Sequence, residues 1–98
     1  MEIKESESTI RINLSGSVDI TDIGEFSGAV KSLCRETGKN IEVDLGQVNY
    51  LDSTGVSLLL KLYKHQKQQG KTFDIISASE RAQGIINLCS LAETLHIR

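Results

Sequence analysis

The 98-residue chain has no apolar run long enough to cross a membrane, no excess of positive charge and no cluster of cysteine and histidine, and each absence removes a class of function. Eleven basic residues against thirteen acidic ones give a formal charge of −2 and a pI near 5.6, whereas a nucleic-acid footprint needs a basic face. Cys34 and Cys89 lie far apart in apolar helical patterns, which reads as two buried thiols in a reducing cytoplasm rather than a metal or redox pair. His65 and His96 are the histidines, and G-x-S-x-G is absent, so a serine hydrolase lacks its machinery. No phosphate loop of the G-x-x-x-x-G-K-S/T type and no clustered metal ligands occur. An enzyme is not expected.

Linkers and repeats are missing too, and residues 1–98 are expected to form one domain with a single modest core. The opening MEIKESEST is polar and acidic, unlike a signal peptide. The expected setting is cytoplasmic, with a protein as partner, no nucleic acid and no membrane insertion.

What is present centres on residues 41 to 60, IEVDLGQVNYLDSTGVSLLL. Ile41, Val43 and Leu45 alternate with Glu42 and Asp44, the period of a strand with one buried and one wet face, and Gly46 is expected to stop it. From Val56 the apolar residues fall at Val56, Leu59, Leu60 and Tyr63, the spacing of one helical face, and the helix is expected to run to about Gln69. Asp52 or Ser53 is then the N-cap. The same helix end carries unpaired N–H groups and the positive pole of the macrodipole, so a phosphate added at Ser53 would be stabilised there. Gly55 is costly in a first turn and is expected to leave the backbone open to the close approach of another molecule.

Before this centre, Met1 and Ile3 suggest an edge strand, and Ile10, Ile12 and Leu14 a half-buried strand ending near Gly16, the two forming a hairpin. Ile23, Phe26, Val30 and Leu33 mark a helix with Asp22 and Glu25 as a capping pair, Thr21 as a rival cap and Gly38 as its stop. Gly24 and Gly28 in that helix fit either close packing on the sheet or a plain surface. After the central helix and Gly70, residues 72–77 read as a strand, Ser77 and Glu80 as a capping box, and Ala82, Ile85, Ile86 and Cys89 as a third helical stripe. Leu95 and Ile97 add a short terminal strand.

Alternating strands and helices define an α/β domain with parallel pairing among the later strands. Because the strands keep a polar alternation, the helices are expected mainly on one face of a mixed four- to five-stranded sheet. Functional groups in such a sheet gather at the carboxyl ends of parallel strands, which would bring Asp19 to Asp52, Ser53 and Thr54. Simple turning and capping of the chain explains the two aspartates equally well. Lys61, Lys64, His65, Lys67 and Lys71 follow one another without an acidic residue. They either complement the helix dipole and solvate the outer face or form a docking surface for an acidic partner. An acyl-carrier domain, which also presents Asp-Ser at a helix start, is all-helical and conflicts with the alternating strands.

The run Val43-Asp44-Leu45, Val48, Leu51-Asp52-Ser53-Thr54-Gly55-Val56 closely resembles the signature of the STAS domain, in particular the bacterial anti-sigma factor antagonists. Leu14-Ser15-Gly16-Ser17-Val18-Asp19 resembles the family's upstream strand and acidic turn, and Ile86-Asn87-Leu88-Cys89-Ser90-Leu91 its last helix, so the resemblance spans nearly the whole chain. It implies a phosphorylatable partner-switching regulator of transcription. Ser53 would be the phosphoacceptor, with Thr54 as the alternative, and Asp19, Asp52, Ser53, Thr54 and Gly55 would form the partner-binding site. The partner would be an anti-sigma factor that is also a serine/threonine kinase of the histidine-kinase-like ATPase fold, bound when Ser53 is unmodified and released once it is phosphorylated. The protein itself would hold no cofactor, since ATP and magnesium belong to the kinase, and a metal-dependent serine phosphatase would reset the switch. Asp22-Ile23, where relatives more often carry a small polar residue and alanine, and Ser90 in place of glycine depart from the family pattern. The competing reading within the fold is a non-phosphorylated docking subunit of an ABC-type lipid transporter.

Overall fold

A computed structural model describes residues 1–19, 24–33, 35, 38–88 and 95. The elements run β1 (Glu2–Glu5), β2 (Thr9–Val18), α1 (Gly24–Leu33), β3 (Asn40–Leu51), α2 (Ser53–Gln68), β4 (Phe73–Ala78) and α3 (Glu80–Leu88). The sheet has the order β1-β2-β3-β4, with β1 antiparallel to β2 and the pairs β2/β3 and β3/β4 parallel. This is the mixed α/β sheet that the alternating pattern implied.

The two faces of the sheet divide by parity. Ile10, Ile12 and Leu14 on β2 and Ile41, Val43 and Leu45 on β3 are buried, and they join Phe26 and Val30 of α1, Leu59 and Leu62 of α2, and Ala82 and Ile86 of α3 in one core. The intervening positions stay polar: Arg11 and Glu42 are register partners and pair across the sheet at 3.0 Å, and Asn13 bonds to Glu2. All three helices therefore bury their apolar stripes on the same side, and the opposite face remains wet.

Neither strand stops where the glycines suggested. β3 continues through Gly46 to Leu51 and β2 through Gly16 to Val18, because bulges absorb the irregularity. Between the Asn13↔Asp44 and Val18↔Leu51 pairs β3 carries two residues more than β2. The Asp44 carboxylate accepts a bond from the Gly46 N–H at 2.8 Å, and a Cβ on Gly46 would lie 2.9 Å from the Ser77 hydroxyl. The glycine marks a crowded bulge rather than an end. Past it, burial changes register to Val48 and Leu51.

The third helix is also capped differently. Since β4 runs to Ala78, Ser77 belongs to the strand, and Ser79 takes the cap, accepting from the Ala82 N–H at 3.1 Å while donating to the Val48 carbonyl. Gly24 and Gly28 are exposed with nothing near a hypothetical Cβ, which favours the plain-surface reading. Leu95 is fully buried but sits in a turn, so the described sheet has four strands. Thr21, Asp22, Ile23, Cys34, Cys89, Ser90, Leu91, His96 and Ile97 lie outside the described residues.

Candidate functional site

Parallel pairing fixes the site. Val18 and Leu51 are register partners at the carboxyl ends of β2 and β3, so the next residues, Asp19 and Asp52, leave the sheet side by side. A hydrogen bond from the Asp52 N–H to the Val18 carbonyl, at 3.3 Å, ties the two strand ends together. Asp19, Asp52 and Ser53 therefore share one edge of the domain, as the parallel arrangement implied.

Asp52, not Ser53, is the N-cap of α2. Its backbone is extended (φ −109°, ψ −178°), and one carboxylate oxygen accepts from the Thr54 N–H at 2.9 Å and the Gly55 N–H at 3.1 Å. The capping work is thus done by the aspartate, and Ser53 occupies the first helical position with an exposed side chain. Thr54 is only half exposed. Of the two hydroxyl-bearing residues in the motif, Ser53 is the more exposed. The first turn of α2 itself contains no acidic side chain, and the Asp52 carboxylate at the N-cap is what offsets the positive partial charge of the helix end.

Gly55 has a different task from the one its flexibility suggested. It is buried, and a Cβ there would lie 2.6 Å from both the Val18 carbonyl oxygen and a Leu51 methyl. The close approach is made by the chain's own strand ends. Only glycine lets α2 start directly above β2 and β3, which is what holds Ser53 over Asp19's side of the sheet.

One part of this region escaped sequence reasoning. Tyr50 and Leu88, exposed at 48% and 82%, flank an apolar groove of about 460 Å³ that Leu51, Gly84 and Ile85 also line, at the same end of the sheet. An aromatic residue beside the Leu51-Asp52-Ser53 run was the available signal, but bulge-shifted parity hid which way it faced. Among the described residues no group of three or more histidine, cysteine, aspartate or glutamate side chains is placed to hold a metal ion. No helix among them is long and apolar enough to cross a membrane.

The family described as "Mlab, STAS domain" matches this chain over residues 1–97. The chain belongs to the STAS domain family. It is similar to the anti-sigma-B factor antagonist of Bacillus subtilis (strain 168), with 26% identity over 97 residues covering 99% of this chain and 88% of that protein. A similar relation holds with the anti-sigma-B factor antagonist of Staphylococcus aureus (strain NCTC 8325 / PS 47), at 23% identity, 99% of this chain and 90% of that one. Among solved structures, the anti-sigma factor antagonist SpoIIAA in its unphosphorylated form superposes with a TM-score of 0.83 at 14% identity, over 99% of this chain and 86% of the other. An anti-sigma factor antagonist from Mycobacterium paratuberculosis gives 0.85 at 17%, over 98% and 81%. These two likenesses establish the fold.

Proposed function

We propose that this protein is an anti-sigma factor antagonist that works by partner switching, with Ser53 as its phosphoacceptor. The observation that carries the reading is the division of labour at the head of α2: Asp52 caps the helix, leaving the Ser53 hydroxyl exposed beside Asp19. The names of the relatives support the same class. The unmodified protein binds an anti-sigma factor that is also a serine kinase, in the cytoplasm where ATP is available, and so frees the factor's other client.

In the transfer step the Ser53 oxygen attacks the γ-phosphorus of ATP held with magnesium by the kinase. The new Oγ–P bond replaces the bond to ADP, which departs, and the hydroxyl proton passes to a base on the kinase. Phosphoserine adds roughly −1.5 to −2 charges at neutral pH next to Asp52 and Asp19. An interface closed over a neutral hydroxyl then meets like-charge repulsion and the cost of desolvating the phosphate, and the partner leaves. A metal-dependent serine phosphatase restores the hydroxyl by delivering water to phosphorus, releasing inorganic phosphate.

The test is intact mass and site mapping after incubation with the co-encoded kinase, ATP and magnesium, alongside Ser53→Ala. One phosphate on Ser53, absent from the variant, is the expected result, and transfer to Thr54 would move the acceptor by one residue. An active kinase that leaves the protein unmodified sinks the switch and favours a STAS docking subunit of a transporter complex.

A further inference from the structure

We propose that the exposed face of α2 is a docking strip for an acidic surface on the protein that reaches Ser53, and that this strip engages the partner whether or not Ser53 carries phosphate. The inference rests on the phosphoacceptor reading of Ser53 and adds a second, chemically distinct handle to it.

Helical geometry sets the strip. With 3.6 residues per turn, Ser53, Ser57, Lys61, Lys64 and Gln68 fall on the side of α2 opposite the buried Gly55, Leu59, Leu62 and Gln66. The face that presents Ser53 is therefore the face that presents the lysines. Lys61, Lys64 and Lys67 are exposed, the helix from Ser53 to Gln68 contains no acidic residue, and a shallow groove of about 550 Å³ runs beside Ser57, Lys61, Lys64 and His65.

Dipole complementation does not account for Lys61 and Lys64. That effect is confined to the last turn, where the structure places His65 and Lys67, while Lys61 and Lys64 stand in the interior of the helix. Like charges three residues apart weaken a helix rather than support it. Three cations elsewhere are paired, Lys4 with Glu2, Arg11 with Glu42 and Lys39 with Glu5, while Lys31, Arg35, Lys71 and Arg81 stand singly and apart from one another in sequence. Among the described residues Lys61 and Lys64 join no ion pair. Positive charge is concentrated here in a chain whose formal charge is −2, so complementarity calls for an acidic occupant.

Reach favours the same partner that touches Ser53. At about 1.5 Å of rise per residue, Lys61 and Lys64 lie roughly 12 and 16 Å along the helix from Ser53. A standard protein interface buries about 800 Å² on each side, a patch on the order of 30 Å across, so a partner centred on Ser53 covers Lys61 and its rim meets the side chain of Lys64. A lipid surface fits less well, because the apolar side of α2 is spent in the core and leaves nothing to insert. The separation also exceeds the Debye length of about 8 Å at physiological ionic strength, so phosphate at Ser53 does not cancel the strip. Long-range steering by the lysines governs how fast the partner arrives, and the state of Ser53 governs how long it stays.

The experiment measures binding of the co-encoded kinase by stopped flow, after intact mass has established transfer to Ser53. It compares the wild type, Lys61→Glu/Lys64→Glu, and a control with the same change of charge on other faces, Lys4→Glu/Lys31→Glu, all shown to be folded by thermal melts. The expected result is an association rate lowered about 10- to 100-fold for the strip variant at low salt, converging to within about threefold at high salt, with the control close to wild type. The same loss should appear in a Ser53→Asp background. Equal association rates for the strip variant and the control overturn the inference while leaving the switch intact, as does a loss seen only with phosphatidylglycerol vesicles. A kinase that neither binds nor modifies the protein removes the underlying reading, and the strip with it.

Discussion

The two ends of α2 are built on opposite plans. At the C-terminal end Gln66, 1% exposed, donates to the carbonyls of Lys39 and Thr72, both at 2.9 Å, and accepts from Gln69, whose own carbonyl oxygen takes the Gly38 N–H. Asn40 completes the ring by accepting from the Thr72 N–H. The segments leading into β3 and β4 are thus fastened to the helix by side chains, with Gln66 buried and Asn40 and Gln69 half-buried around it. At the N-terminal end one carboxylate does the capping, and the next hydroxyl points outward. The difference lies in where polar groups are spent: the C-terminal end turns them on the chain itself, while the N-terminal end leaves Ser53, the proposed phosphoacceptor, exposed.

Substitutions should separate the two ends by the kind of loss they cause. Gln66→Ala is expected to have the largest effect on stability, about 2 to 4 kcal/mol by urea unfolding, because it removes the donor that joins the Lys39 and Thr72 carbonyls and opens a cavity at a buried position. Phosphate acceptance by the folded fraction should be unchanged; impaired acceptance at full folding would erase the division between the ends. Gly55→Ala comes next, at about 1 to 3 kcal/mol, since its Cβ meets a backbone oxygen and α2 must lift from the strand ends. That variant should also lose kinase affinity, which equilibrium binding of the folded protein would report.

The smallest and sharpest case is Asp52. Asp52→Ala removes the cap and should cost about 1 kcal/mol, whereas Asp52→Asn keeps a capping oxygen and should cost little. If both variants bind the kinase equally poorly, the carboxylate's charge serves the interface directly; if only the alanine variant does, its role is to hold the helix start. Thermal melts paired with affinity measurements distinguish the two.

The parts of this design legible in the sequence were those with a local period. The alternation of Ile10 to Leu14 and Ile41 to Leu45, the stripe of α2 and the meeting of Asp19 with Asp52 all follow from spacing plus parallel pairing. What hid was set by partners distant in sequence. The Gly46 bulge depends on how β3 aligns with β2 and β4, the replacement of Ser77 by Ser79 as a cap on one further residue of strand, and the role of Gly55 on a carbonyl 37 positions earlier. Gln66 sits on the buried stripe with Leu59 and Leu62, yet polar neighbours on both sides make it read as solvent-facing. A buried glutamine is recognisable only once the carbonyls it serves are in place.

The two extra residues on β3 also act as a spacer. They take up slack between strands of unequal length, so that the acidic turn after β2 and the helix head after β3 finish at one height. Without that surplus, at about 3.3 Å per residue, the helix head would stand roughly 7 Å out of level with Asp19. The Asp52 N–H bond to the Val18 carbonyl and the seat of Gly55 against Val18 and Leu51 both depend on that levelling, so the height of the upper rim is written into the interior of the central strand.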